Sequence, residues 1–193
     1  MCSRGQGLRI VPIDEGDSSM AGDQRLRHGL AAVGSIAMTG DYVEQLAALG
    51  NETRHSVIVR DEGTGAIDRF NCFAYALGIW QSPRFERLVE RRNDPALLNA
   101  AFVEWLQERG DLLEVEEQAV APDDIVLYFS GDQLRHAGRI ASLGPMTVHS
   151  KWLGMRVHSH ELWELPLQHG DNARYFRLGS AETVLGRMEQ EYR

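Results

Sequence analysis

An α+β fold is the class that this sequence predicts, with helices first along the chain and an antiparallel sheet after them. Helix-type apolar spacing prevails up to residue 110, and short apolar or alternating segments separated by turn residues follow it. The chain has 193 residues, which suffice for one domain with a substantial core. We therefore expect one sheet of about five antiparallel strands that carries the helices on one side.

The N-terminal part of the chain divides into an extension and the start of the domain. Residues 1–40 are rich in Gly, Ser and Asp and have weak periodicity, so we expect them to lie outside the core. Residues 41–193 then form a single domain. Its first elements are a short amphipathic helix over 41–49 and a strand over 56–61.

Three helices are expected in the middle of the chain. The first spans 71–80 and begins at Cys72, because Asn71 is a favourable N-cap residue. The other two span 84–92 and 95–109, and the second of them has a proline at its first position and a glycine after its last.

The rest of the chain has the pattern of strands and turns. Strands are expected at 113–118, 124–129, 135–142, 146–152, 156–164 and 173–178. A helix from about 180 to 192 ends the chain. Helices followed by consecutive strands are typical of an α+β arrangement.

The turn sequence LGP predicts how two central strands pair. Taken as the pivot of a hairpin, it opposes residue 140 to residue 148. Alternation along the second strand then places His149 and Lys151 on one face of the sheet and Ser150 on the other.

Charge and hydropathy exclude two classes of partner. The formal charge is −8, with 28 acidic against 20 basic residues, whereas a nucleic-acid binder needs a concentrated basic surface. The one basic cluster, at 84–92, alternates arginine with glutamate, as a solvated helix face does. Apolar runs are strand-sized, so neither nucleic acid nor a membrane is an expected partner.

The N-terminus lacks the apolar core of a signal peptide. We expect the protein to stay in the cytoplasm, or to leave it by a signal-independent route, as an exported effector or toxin would. The two cysteines, Cys2 and Cys72, fit a reducing compartment without a structural disulfide.

Metal and cofactor chemistry is not expected. Neither a CxxC nor an HExxH motif occurs. His158 and His160 share a strand face, but no cysteine or carboxylate accompanies them. His169 lies in the turn-forming sequence HGDN and is expected at the surface.

Cys72 is the candidate nucleophile. The thiolate is the reactive form of cysteine, and a helix N-terminus favours it through unpaired N–H groups and the helix dipole. A nearby imidazole favours it further by holding the proton, and His136 is the candidate for that role. The alternative is that Cys72 is a small buried hydrophobic residue.

Four motifs follow one another along the chain: NCFAYALG with Cys72, DDIVLYF with Asp124, HAGRI with His136 and TVHSKW with His149. Their order resembles the NlpC-type cysteine peptidases of the papain-like superfamily. In that family a cysteine that begins a helix is followed by an acid-led strand, a His-x-Gly strand and a strand with a third polar residue. The resemblance covers roughly residues 68–178, and the tail also resembles a less characterised bacterial group with the pattern NC…HA…SK-G…H.

This resemblance implies a papain-like fold, in which the nucleophile helix packs on the antiparallel sheet. It also implies a thiol-dependent hydrolase or acyltransferase that acts on a peptide or amide bond, without a cofactor. Cys72 would attack the carbonyl, His136 would serve as base and acid, and His149 would orient the His136 ring. Ser150 and His160 remain alternatives for that third role.

The chain also departs from the family pattern. Asn71-Cys72-Phe73 replaces the usual Asp-Cys-Ser, and Asp123 stands where the family has a glycine. A helical insert at 82–110 separates the nucleophile from the base strand, and we expect it to border the cleft and to narrow the range of substrates. The alternative function is a catalytically inactive papain-like domain that binds another protein.

Overall fold

The computed structural model describes residues 23–36, 41–62, 69–94, 97–152 and 156–192. Its helices are α1 (Gln24–Ile36), α2 (Tyr42–Glu52), α3 (Cys72–Ala76), α4 (Pro83–Arg92), α5 (Ala100–Glu108) and α6 (Ala181–Glu191). Its strands are β1 (Ile58–Val59), β2 (Leu112–Val115), β3 (Ile125–Ser130), β4 (Gln133–Leu143), β5 (Met146–Lys151), β6 (Val157–Glu161) and β7 (Asn172–Leu178).

The predicted α+β class is confirmed, but the expected number of about five strands is wrong. In the described part of the chain an open antiparallel sheet of seven strands has the order β1-β6-β5-β4-β3-β7-β2. Every segment that the sequence predicted as a strand joins this sheet. The count differs because the two edge strands, which are only two and four residues long, also pair with it.

Helix boundaries follow the local capping residues. The nucleophile helix α3 is shorter than predicted, because Gly78 takes a φ of +70°, a left-handed conformation typical of helix ends. Helix α5 begins later than the predicted 95–109, because Asn99 rather than Asp94 is its cap and accepts a hydrogen bond from the Phe102 N–H at 3.1 Å. Residues 95–96 lie outside the described part.

Both faces of the sheet are covered, so the expectation of helices on one side is wrong. Helices α3 to α6 pack on the face that carries Leu127, Ala137, His149, Lys151 and Val157, called here the Cys72 face. Helices α1 and α2 pack on the opposite face, which carries Tyr128, His136, Ser150, His158 and His160 and is called here the histidine face.

Helix α1 lies within the predicted extension 1–40, and its Leu26 and Leu30 are buried in the core of the histidine face. This part of the extension therefore belongs to the packed fold. The insert 82–110 supplies α4 and α5, whose buried residues join the core of the Cys72 face. The insert thus lies on the same side of the sheet as Cys72.

A β-bulge in β4 determines which face each of its residues occupies. Tyr128 pairs with His136, whereas the next residue, Phe129, pairs with Leu134, so Arg135 is the extra residue. Leu134 and Ala137 consequently both face the Cys72 side, although three positions separate them. His136 faces the other side.

Among the described residues, the helices are too short or too polar to cross a bilayer.

Candidate active site

Cys72 is the first residue of α3, as the sequence predicted. The side-chain oxygen of Asn71 accepts a hydrogen bond from the Ala74 N–H at 3.0 Å, and its amide group donates to the carbonyl of Leu98. The cap therefore ties the start of the nucleophile helix to the segment just before α5.

The thiol of Cys72 is half-buried and packs against the core of the Cys72 face. Burial raises its pKa to about 11, because a thiolate loses hydration there. The backbone N–H groups of Ala137, Phe73 and Cys72 itself act in the opposite direction, and so does the charge of Lys151. Burial outweighs them, so the thiol is protonated at neutral pH.

His136 lies on the histidine face, where its side chain is 1% exposed. Its ring centroid is 4.0 Å from that of His169 and 5.8 Å from that of Tyr128. Burial holds its pKa well below the usual histidine value, and the neighbouring imidazoles lower it further. The ring is neutral at pH 7.

The structure does not bring the Cys72 thiol and the His136 ring together. The thiol adjoins the backbone of Ala137 on one face of β4, and successive side chains of a strand point to opposite faces. The predicted Cys72–His136 pair is corrected on this ground. The bulge at Arg135 is the local cause of the arrangement.

His149 lies on the Cys72 face, where it pairs across the strands with Arg139. Its Nε2 accepts a hydrogen bond from Nη1 of Arg60 at 3.2 Å, since a guanidinium can only donate. Burial and then the Arg60 charge lower its pKa. The predicted pairing of residues 140 and 148 is confirmed, but His149 cannot orient His136 from the opposite face.

The alternatives Ser150 and His160 share the histidine face with His136 but bond to each other. His160 Nδ1 lies 2.7 Å from the carbonyl oxygen of Glu161 and donates to it, so Nε2 accepts from the Ser150 hydroxyl at 2.8 Å. Trp152 Nε1 donates to the same hydroxyl at 2.9 Å. The three side chains form one satisfied buried network.

The histidine cluster consists of His136, His158, His160 and His169. Burial lowers the pKa of His158 and of His169 to about 3, and that of His160 to about 4. The prediction that His169 lies at the surface is wrong, because the turn that carries it folds over the sheet and leaves it 3% exposed.

An open cleft of about 540 Å³ lies on the Cys72 face beside α3. Tyr75, one helical turn after Cys72, lines it, and its hydroxyl donates to Glu62 Oε2 at 2.9 Å. Arg139 and His149 line it as well. Sequence reasoning missed Tyr75, Arg139 and Glu62, because only the packing of α3 against β4 and β5 brings them to one place.

Metal ligation finds no support in the described ranges, where no group of three or more His, Cys, Asp or Glu side chains is arranged to hold an ion.

No protein-family model matches the chain, and neither curated proteins nor solved structures provide a match.

Proposed function

We propose that the protein is a thiol-dependent hydrolase or acyltransferase that acts on a peptide or amide bond, with Cys72 as its nucleophile. The observation that supports it best is the setting of the thiol. It lies half-buried at the capped start of α3, with three backbone N–H groups and a lysine charge that favour the thiolate. On the basis of the sequence resemblance, we also propose that the protein is related to NlpC-type peptidases and has a papain-like fold.

In the proposed reaction the Cys72 thiolate attacks the carbonyl carbon of the substrate. A carbon–sulfur bond forms, the carbon–nitrogen bond breaks, and the amine leaves with the proton that the thiol lost on becoming a thiolate. Water, or a second amine in the transferase, then attacks the thioester and restores the thiol. The N–H groups around the sulfur are suited to stabilise the negative oxygen of the tetrahedral intermediate.

The partners of the thiol must come from its own face of the sheet. Lys151 and His149 project from β5 on that face, and the cleft that His149 lines gives a substrate room beside α3. His136 has no part in the proposed chemistry, because its ring is buried on the other face.

A second function, a protein-binding domain without catalytic activity, is favoured by one observation. Burial holds the pKa of the Cys72 thiol at about 11, which leaves little thiolate at neutral pH. Such a thiol fits a structural residue as well as a nucleophile that gains reactivity when substrate binds.

p-Nitrophenyl acetate, an activated acyl donor, tests the two functions. The protein should carry Cys2→Ser, so that Cys72 is the one remaining thiol. We expect continued release of p-nitrophenol and an acetyl group trapped on Cys72, detected by mass spectrometry of its peptide. Cys72→Ala should abolish both and leave the circular dichroism spectrum unchanged.

If Cys72→Ala releases p-nitrophenol at the wild-type rate, the proposed nucleophile is wrong. If the folded protein never acquires an acetyl group on Cys72, the binding function takes its place.

A further inference from the structure

Lys151 is an ionisable side chain in an unusual place. It is the last residue of β5 and is 1% exposed, although lysine is almost never fully buried in proteins. Burial of a cation is costly unless nearby groups compensate for the lost hydration. The charge of Lys151 therefore depends on its neighbours for stabilisation.

Lys151 lies among residues that are also close to Cys72 in the sequence or in the core. Its Nζ lies 5.0 Å from the centroid of the Phe70 ring, and Phe70 precedes Cys72 by two residues. On β6 its partner is Val157, which belongs to the same core cluster against which Cys72 packs. Both side chains therefore lie in one buried region of the Cys72 face.

The strand register brings the two residues to a common neighbour. Arg139 on β4 pairs with His149 on β5, and the same antiparallel register continued by two residues sets Ala137 beside Lys151. The backbone N–H of Ala137 is one of the groups that favour the Cys72 thiolate. The lysine and the thiol thus approach the same point of β4.

We propose that Lys151 stabilises the Cys72 thiolate through its positive charge, in the role that the sequence assigned to His136. This inference rests on the proposed function, because it identifies the residue that prepares the nucleophile. Lys151 is a positioning residue in this scheme, since it acts on the substrate through the sulfur. In accord with the geometry, its charge lowers the pKa of Cys72 against the larger effect of burial.

Two arginines on the Cys72 face, Arg60 and Arg139, form ion pairs of their own. Arg60 forms an ion pair with Glu62, and Arg139 pairs with Asp123 at 3.2 Å. Neither is among the charges that act on the Cys72 thiol. Lys151 is accordingly the cation that a substitution experiment should remove.

Alkylation of Cys72 by iodoacetamide at pH 8 measures the thiolate population without any substrate. In the Cys2→Ser protein we expect Lys151→Met, which keeps the apolar stem, to slow alkylation by about threefold or more, equivalent to about half a pKa unit. Lys151→Arg keeps the charge and should retain more of the rate. Arg174→Gln removes a cation that pairs with Glu114 on the sheet surface, and it should leave the alkylation rate of Cys72 unchanged.

Equal alkylation rates in Lys151→Met and the wild-type protein would overturn the inference. If that variant does not fold, as judged by circular dichroism, Lys151→Gln supplies the uncharged comparison and the same criterion applies. Because this test needs no acyl transfer, Lys151 can fail it while Cys72 still forms the acetyl intermediate, and the two proposals are separated.

Discussion

The two faces of one sheet carry different chemistry here, although their residues alternate along the same strands. The Cys72 face combines a half-buried thiol, a buried lysine and an open cleft. The histidine face holds four buried imidazoles, all of which burial keeps neutral at pH 7. A sequence motif that contains a cysteine and a histidine therefore does not show that their side chains are in contact. An offset of one residue along a strand moves a side chain to the other face of the sheet.

The two faces are also expected to contribute to different properties of the protein: the histidine face to its stability, and the Cys72 face to the reactivity of the thiol. On the histidine face, Ser150, Trp152 and His160 satisfy one another, and each such hydrogen bond contributes about 1 kcal/mol of net stability. On the Cys72 face Lys151 is buried, and its charge acts on the Cys72 thiol. We expect loss of the buried hydrogen bonds on the first face to change the free energy of unfolding, and loss of the lysine charge on the second to change the reactivity of the thiol.

Among the substitutions, Ser150→Ala is expected to have the largest effect on stability. The change leaves Nε2 of His160 and Nε1 of Trp152 without their partner, and each unsatisfied buried group costs about 1–3 kcal/mol. Urea unfolding should show the loss. Ser159→Ala removes the same atom from the neighbouring strand, and there we expect a loss within about 0.5 kcal/mol. Similar losses in both variants would mean that the network contributes little.

Acid should destabilise the protein through its histidine face. His158, His160 and His169 have folded-state pKa values of about 3 to 4, below the unfolded value of 6.5, so the unfolded chain binds more protons in between. Stability therefore falls as pH decreases from about 6.5 to about 4, by up to about 1.4 kcal/mol per pH unit for each histidine.

Urea unfolding at pH 7 and pH 5 measures this dependence. His169→Leu removes one of the three groups and should reduce the difference between the two pH values. His28→Leu makes the same change at an exposed position and should leave the difference as in the wild-type protein. Equal stability of the wild-type protein at both pH values would contradict the account.

A smaller effect is expected at the caps of the Cys72 face. Asn71→Ala and Asn99→Ala each remove an N-cap side chain, which costs about 1 kcal/mol of stability. Only the first cap holds the start of α3, so only Asn71→Ala should also alter the iodoacetamide rate of Cys72. A change of that rate in both variants would mean that it reports general loosening of the fold.

Much of the fold was predictable because it depends on local signals. Turn residues and alternation located every strand segment, and Asn71 marked the start of α3. The order of helices and strands follows from the same signals. These features require only neighbours in sequence.

The site was less predictable because it depends on one inserted residue. The bulge at Arg135 has no distinctive sequence, and it determines that Ala137 rather than His136 faces the thiol. The burial of His169 and the packing of α1 in the extension depend likewise on contacts between distant segments. Lys151 was placed with His149 by alternation, but its burial beside the thiol was not foreseen.

The pH dependence of Cys72 alkylation tests the central claim most directly. In a cysteine–histidine pair the imidazolium keeps the sulfur ionised, so the rate is nearly constant around neutral pH. Here burial holds the pKa of Cys72 at about 11, and His136 lies on the other face of the sheet. We therefore expect the alkylation rate to depend on pH throughout this range. The iodoacetamide rate of the Cys2→Ser protein should rise about tenfold per unit from pH 6 to pH 9, with the same profile in His136→Gln. A plateau across this range that His136→Gln removes would show that the thiol and the His136 ring act as a pair, and would contradict the account.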